Sequence, residues 1–190
     1  MHPGPLPELA GLNSASWAIY QGHDGFGVTV HHMDPGIDTG DIAYQRRFPI
    51  EPSDTALSLN AQCVRHGLEL MQRLLDDAAT AEIPRIPQDL EQRGYFGKRI
   101  PEQGRLTFGR PADEVLRFVR ACDYVPFASP WGHPVAILGN REIGIAKAHA
   151  TGKRCAVSPG TIGDVTANGV LVACADRWIA IELLRVCLLY

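Results

Sequence analysis

The chain has 190 residues, of which 45% are hydrophobic and 21% charged, with a formal net charge of −3. That length and balance fit one generous globular domain or two small ones, and exclude a disordered tail, a collagen-like repeat and a coiled coil. Residues 1–92 hold 5 Lys+Arg against 13 Asp+Glu, whereas residues 93–190 hold 13 against 8, so an acidic first region and a mildly basic second one are expected to differ in their partners.

Residues 2–12 (HPGPLPELAGL) are rich in proline and glycine and read as an irregular loop. Asn13 is expected to cap a short helix over 14–21 that carries Trp17, Ala18 and Ile19 and stops at Gly22. Residues 25–32 alternate, Val28 and Val30 against Thr29 and His31, as a half-buried strand does. Residues 34–41 (DPGIDTGD) form a turn-rich loop, and 42–50 a second strand. Ser53 or Asp54 then caps a long helix whose Leu57, Val64, Leu68, Met71 and Leu75 recur at helical spacing, a stripe expected to face the core.

Periodicity fades over 78–92, where Pro84 and Pro87 mark a linker. Beyond it, Pro111 followed by Asp113 and Glu114 opens a helix through Val115, Leu116, Val119 and Cys122. Short apolar runs at 135–138, 143–148, 163–165, 170–174 and 178–184 follow. Turn residues separate them, at Gly139-Asn140, Ser158-Pro159-Gly160, Asn168-Gly169 and Ala175-Asp176, which predicts a small barrel or sandwich.

No apolar run reaches the roughly 18 residues of a membrane span, and Met-His-Pro-Gly-Pro is not the start of a signal peptide. The five cysteines (Cys63, Cys122, Cys155, Cys174, Cys187) are odd in number and scattered, which predicts free thiols and a cytoplasmic protein without membrane contact. Asp34, Asp38 and Asp41 lie beside His31 and His32. Adjacent strand residues point to opposite faces, so the two histidines do not ligate one ion and no metal site is expected. Trp17 and Met71 read as core. Arg93, Lys98 and Arg99 beside Tyr95 and Phe96 read either as a solvated linker end or as a phosphate-contacting patch.

Taken in order, the motifs say more. His2-Pro-Gly-Pro-Leu-Pro, Gly11-Leu-Asn, Trp17-Ala-Ile, Gly27-Val-Thr and Met33-Asp-Pro-Gly-Ile-Asp-Thr-Gly-Asp41 resemble the 10-formyltetrahydrofolate-dependent formyltransferases, and most of all their methionyl-tRNA branch. The likeness is close over about 2–78 and looser over Gly94-Tyr-Phe-Gly-Lys-Arg and the strand-rich remainder. It implies an α/β remnant of a Rossmann-like core over 1–80, a linker over 81–94 and a small OB-like β-barrel over 95–190.

The resemblance implies formyl transfer from 10-formyltetrahydrofolate, without a metal, to a primary amine. The acceptor would be methionyl-tRNA of translation initiation, held through the basic second half, or alternatively a nucleotide-sugar or amino-acid amine. Attack on a formyl carbon makes an oxyanion, and one well-aimed donor to it is worth ~3 kcal/mol of barrier. By resemblance His2 is that donor and Asp38 the carboxylate that favours its cationic form and assists proton removal. Asp34, Pro35, Gly36, Ile37 and Asp38 would line the pterin pocket, with Gly36 letting the backbone approach the ring. Ala10-Gly11 stands where the family carries Arg-Gly. The family's asparagine two positions before the histidine and its upstream β/α half have no counterpart in the sequence given. A truncated piece with transfer far slower than an intact relative's is therefore expected, or a catalytically inactive remnant.

Overall fold

The computed structural model describes residues 1–80, 82–138 and 141–186. The chain divides into two compact units, Met1–Lys98 and Arg99–Tyr190. The first contains β1 (Ala10–Gly11), α1 (Ser14–Gln21), β2 (Gly25–His31), β3 (Ile42–Pro49), α2 (Ala56–Thr80) and β4 (Tyr95–Phe96). The second contains α3 (Ala112–Ala121), β5 (Val135–Leu138), β6 (Arg141–Arg154), β7 (Ile162–Thr166), β8 (Gly169–Ala173) and β9 (Arg177–Val186). The expected Gly139-Asn140 turn, Cys187 and the chain end at Tyr190 lie outside the described residues.

In the first unit β2 and β3 form an antiparallel pair, β1 and β4 a parallel one, and α2 packs on β2 and β3. Among the described residues there is no wider parallel sheet, so the expected Rossmann-like remnant is seen as these two ribbons with α1 and α2. The alternation in 25–32 suggests one wet face, yet Phe26, Val28, Thr29 and Val30 are all buried. The reason is a second cover. The N-terminal segment lies against the edge of β2, with His2 bridging Thr29 through both backbone hydrogen bonds. Thr29 is the hub of that contact: its hydroxyl donates to the Gly4 carbonyl at 2.8 Å and accepts from Leu6 N at 3.2 Å and Gln45 Nε2 at 2.9 Å. Thr29→Val keeps the shape but strands the Gly4 carbonyl and the Leu6 amide, while Gln45 Nε2 keeps its bond to the Leu6 carbonyl, so we expect a loss of about 3 kcal/mol in urea unfolding.

The helix caps differ from those the sequence suggests. Asn13 precedes α1 in a left-handed conformation, φ 57°, with no side-chain cap bond. The α2 cap is Thr55, whose hydroxyl accepts from Ser58 N while Ser58 Oγ accepts from Thr55 N, a reciprocal pair. Asp54 instead closes the preceding turn on Glu51 N. The stripe expected to face the core does so only in part: Met71 packs against Val30, Ala43 and Tyr44, but Val64, Leu68 and Leu75 are exposed, and α2 buries Ala56, Leu59, Cys63 and Gly67. Helix 56–80 is apolar on two faces, and the heptad-like spacing picks out mainly the outer one.

The described part of the expected linker, 82–94, is not free of the first unit. Ile86 pairs with Ile42, Gly94 N donates to the Pro7 carbonyl, and Ala10 N donates to the Gly94 carbonyl. The boundary falls at Lys98 and Arg99. In the second unit the strands form one antiparallel sheet in the order β5-β6-β9-β8-β7, with α3 packed on β6 and β9. The expected barrel is not closed among the described residues, where β5 and β7 are edges. Register shifts in β6 bend the sheet without joining those edges. No helix of the described residues is long and apolar enough to cross a membrane.

Candidate active site

The loop between β2 and β3 is built by its own polar side chains. Asp34 Oδ1 accepts from Gly36 N at 3.1 Å and from the Thr39 hydroxyl at 2.6 Å, closing the tip. A Cβ on Gly36 would lie 2.1 Å from Thr39 Oγ1, so this glycine is required by the loop's own closure, a reason distinct from the expected approach of a ring. Pro35 and Ile37 lie exposed at the tip, Ile37 at 58%, and Met33 just before it is 96% exposed.

Asp38 turns back inward, in a left-handed conformation with φ 56°. Its Oδ2 accepts from Gly11 N at 2.9 Å and lies 3.5 Å from His2 Nδ1, while Oδ1 lies 3.6 Å from His31 Nε2. The structure thus brings His2 and Asp38 together, and adds Gly11 and His31 to them. His31 is fixed from its other side, Nδ1 donating to the His32 carbonyl at 3.0 Å. The sequence pattern placed His31 only as a rejected metal ligand; its position one strand end from the carboxylate loop was the signal available. Among the described residues no group of three or more His, Cys, Asp or Glu could hold a metal ion.

His2 is nearly inaccessible, at 6% exposure, and its Nε2 donates to the Leu9 carbonyl at 2.7 Å. A carbonyl only accepts, so Nε2 carries the proton and Nδ1 faces Asp38. Asp38 was expected to favour the cationic ring. Instead burial dominates and lowers the His2 pKa below its ordinary 6.5, against the upward pull of the Leu9 hydrogen bond and the Asp38 charge; His31 and the chain's amino terminus push it down further. The neutral ring is the folded form's preference, so its stabilising contribution is complete above 6.5 and is lost as pH falls through the lowered value. Urea midpoints of the first unit are expected to drop on acidification below pH 6.5 more in the parent chain than in His2→Asn, which has no such proton to take up.

The family description "Formyl transferase" matches residues 1–75, and "Formyl transferase, C-terminal domain" matches residues 99–186. Solved structures agree in fold. The N-formyltransferase from Helicobacter canadensis, in complex with folinic acid and dTDP-3-aminofucose, superposes with a TM-score of 0.76 at 21% identity, over 96% of this chain and 65% of that one. HypX from Aquifex aeolicus, in complex with tetrahydrofolic acid, gives 0.72 at 23% identity, over 98% of this chain and 32% of that one. A 4-N formyltransferase from Francisella tularensis gives 0.66 at 21% identity, over 77% and 60%. The chain therefore spans just under two thirds of the first of these and about a third of the second. With a family match on each of its two units, the chain belongs to the formyl transferase family.

Proposed function

We propose that the protein transfers a formyl group from a 10-formyltetrahydrofolate donor to the primary amine of a small acceptor, a nucleotide-linked amino sugar or an amino acid. The observation that carries this reading is the Asp38 carboxylate, held by the Gly11 amide and flanked by two imidazoles. The amine nitrogen attacks the formyl carbon, its lone pair forms the new C–N bond, and the carbonyl electrons move onto oxygen. Asp38 takes the amine proton as that bond forms. His2 Nδ1 is an acceptor 3.5 Å away, so the pair can share the proton until the bond to folate N10 breaks and N10 takes it up. The products are a formamide and tetrahydrofolate. His2, once protonated, also supplies positive charge near the developing oxyanion.

In this reading residues 34–38 receive the pterin end of the donor. Ile37 and Met33 offer exposed apolar surface for a flat ring, and Asp34 keeps the tip in shape. A small acceptor is favoured over methionyl-tRNA on two grounds. Two of the structures above are described as N-formyltransferases, one of them bound to an amino-sugar nucleotide. The basic excess of the second unit is also modest, 11 Lys+Arg against 8 Asp+Glu over residues 99–190, a small charge with which to grip a phosphate backbone. The test is transfer of labelled formyl from 10-formyltetrahydrofolate to dTDP-amino sugars, free amino acids and methionyl-tRNA, each alone. We expect label in an amino sugar or amino acid. Label in methionyl-tRNA alone would overturn the acceptor, and label in none of them the transfer itself.

A further inference from the structure

The stretch between α2 and β4 grips the loop that carries Asp38. Gln88 Nε2 donates to two backbone carbonyls of that loop, Asp38 at 3.0 Å and Gly40 at 2.6 Å. Arg93 donates from its guanidinium to the Ile37 carbonyl at 2.7 Å, with that group 4.8 Å over the Tyr95 ring. The strap bearing these side chains is itself fastened at both ends, by the Ile42–Ile86 pair and by the Gly94 and Phe96 carbonyls, which accept from Ala10 N and Leu12 N. The Gln88 amide oxygen is buried and has no hydrogen-bond partner. Its side chain therefore contributes through donation, both bonds going to the loop.

Asp38 needs such a clamp. An aspartate enters the left-handed region more readily than most side chains, but φ 56° is still a sparsely populated conformation that local contacts must favour over the extended one. Relaxation to a negative φ would swing the Cα–Cβ bond and take the carboxylate away from Gly11 N. We propose that Gln88, assisted by Arg93, is a positioning residue that holds residue 38 in its left-handed conformation and so aims the carboxylate at Gly11, His2 and His31. Its effect on turnover rests on the formyl-transfer reading; its effect on geometry does not.

The test uses Gln88→Glu in the full chain, a substitution of the same shape without the N–H donors, and Gln88→Lys, which keeps N–H donors. Amide exchange of Gly11 reports whether Asp38 still accepts its hydrogen bond, and exchange of Val28 and Val30 reports whether the unit is folded. In Gln88→Glu we expect Gly11 exchange to accelerate about tenfold or more with Val28 and Val30 still protected. Labelled transfer should show kcat lower by about tenfold with KM within about twofold. Gln88→Lys should recover Gly11 protection. Unchanged Gly11 exchange in folded Gln88→Glu would overturn the proposal. Should that variant also lose Val28 and Val30 protection, Gln88→Ala decides by the same amides, since it removes the donors without adding charge. If the parent chain transfers no formyl group, the functional reading falls while Gly11 exchange still decides the clamp.

Discussion

Replacing Asp38 by asparagine is expected to lower kcat/KM for formyl transfer by roughly 100- to 1,000-fold while the fold survives. The substitution preserves size, and an amide oxygen can still accept from Gly11 N, as Oδ2 does now at 2.9 Å. The carbonyls of residues 37, 38 and 40 remain tied to Arg93 and Gln88, so the loop has no reason to open. What disappears is the charge. Asparagine cannot take a proton from an attacking amine, and His2 loses the carboxylate that pulls its pKa upward. The His2 titration, followed by nuclear magnetic resonance, should therefore move lower still in Asp38→Asn. A variant that turns over within a few-fold of the parent would show that the carboxylate does not handle the proton.

Asp34, Asp38 and Asp41 by themselves read as turn formers of a glycine-rich loop; His2 and Asp38 are legible as a pair only through the resemblance of the motif string to a known family. Their surroundings were less legible, for physical reasons. Burial decides the His2 charge state, and it arises from the packing of 2–9 against β2, a long-range contact that no local pattern encodes. Gln88 directly follows Pro87 in a stretch without periodicity. Such segments read as linkers, yet a chain without helix or strand can still use its side-chain amides to satisfy another loop's carbonyls. The α2 stripe fails in part, for a related reason. Val64, Leu68 and Leu75 keep helical spacing as well as the buried set does, and periodicity alone does not say which of two apolar faces meets the core.

The strands of the second unit start within two residues of the expected runs, where turn residues precede them, but β6 continues to Arg154, six residues past the expected end at 148. Closure was the part that failed. Whether a five-stranded antiparallel sheet closes depends on tilt and stagger between its edge strands, which no single strand's composition specifies.

Gly11→Ala is expected to destabilise the first unit by about 3 kcal/mol and to abolish most of the site's organisation. Gly11 has φ +93°, outside what a residue with a side chain adopts comfortably, and its Cβ would stand 2.3 Å from the Phe96 carbonyl oxygen. That oxygen already accepts from Leu12 N at 2.7 Å, so it is pinned and has little room to yield. Relief would come from parting β1 and β4, whose register pairs Gly11 with Phe96. Parting them pulls the Gly11 amide from Asp38 and loosens Phe96 from Trp17, whose rings lie 4.8 Å apart. The Trp17 indole resonance should shift in the variant, and the urea midpoint of the first unit should fall with it. Gly97→Ala is the control: nothing lies within 4 Å of the added methyl, so its stability should match the parent's closely. A Gly11→Ala chain as stable as Gly97→Ala, with the residue 11 amide still slow to exchange, would mean that the β1–β4 pair is not what seats the Asp38 carboxylate.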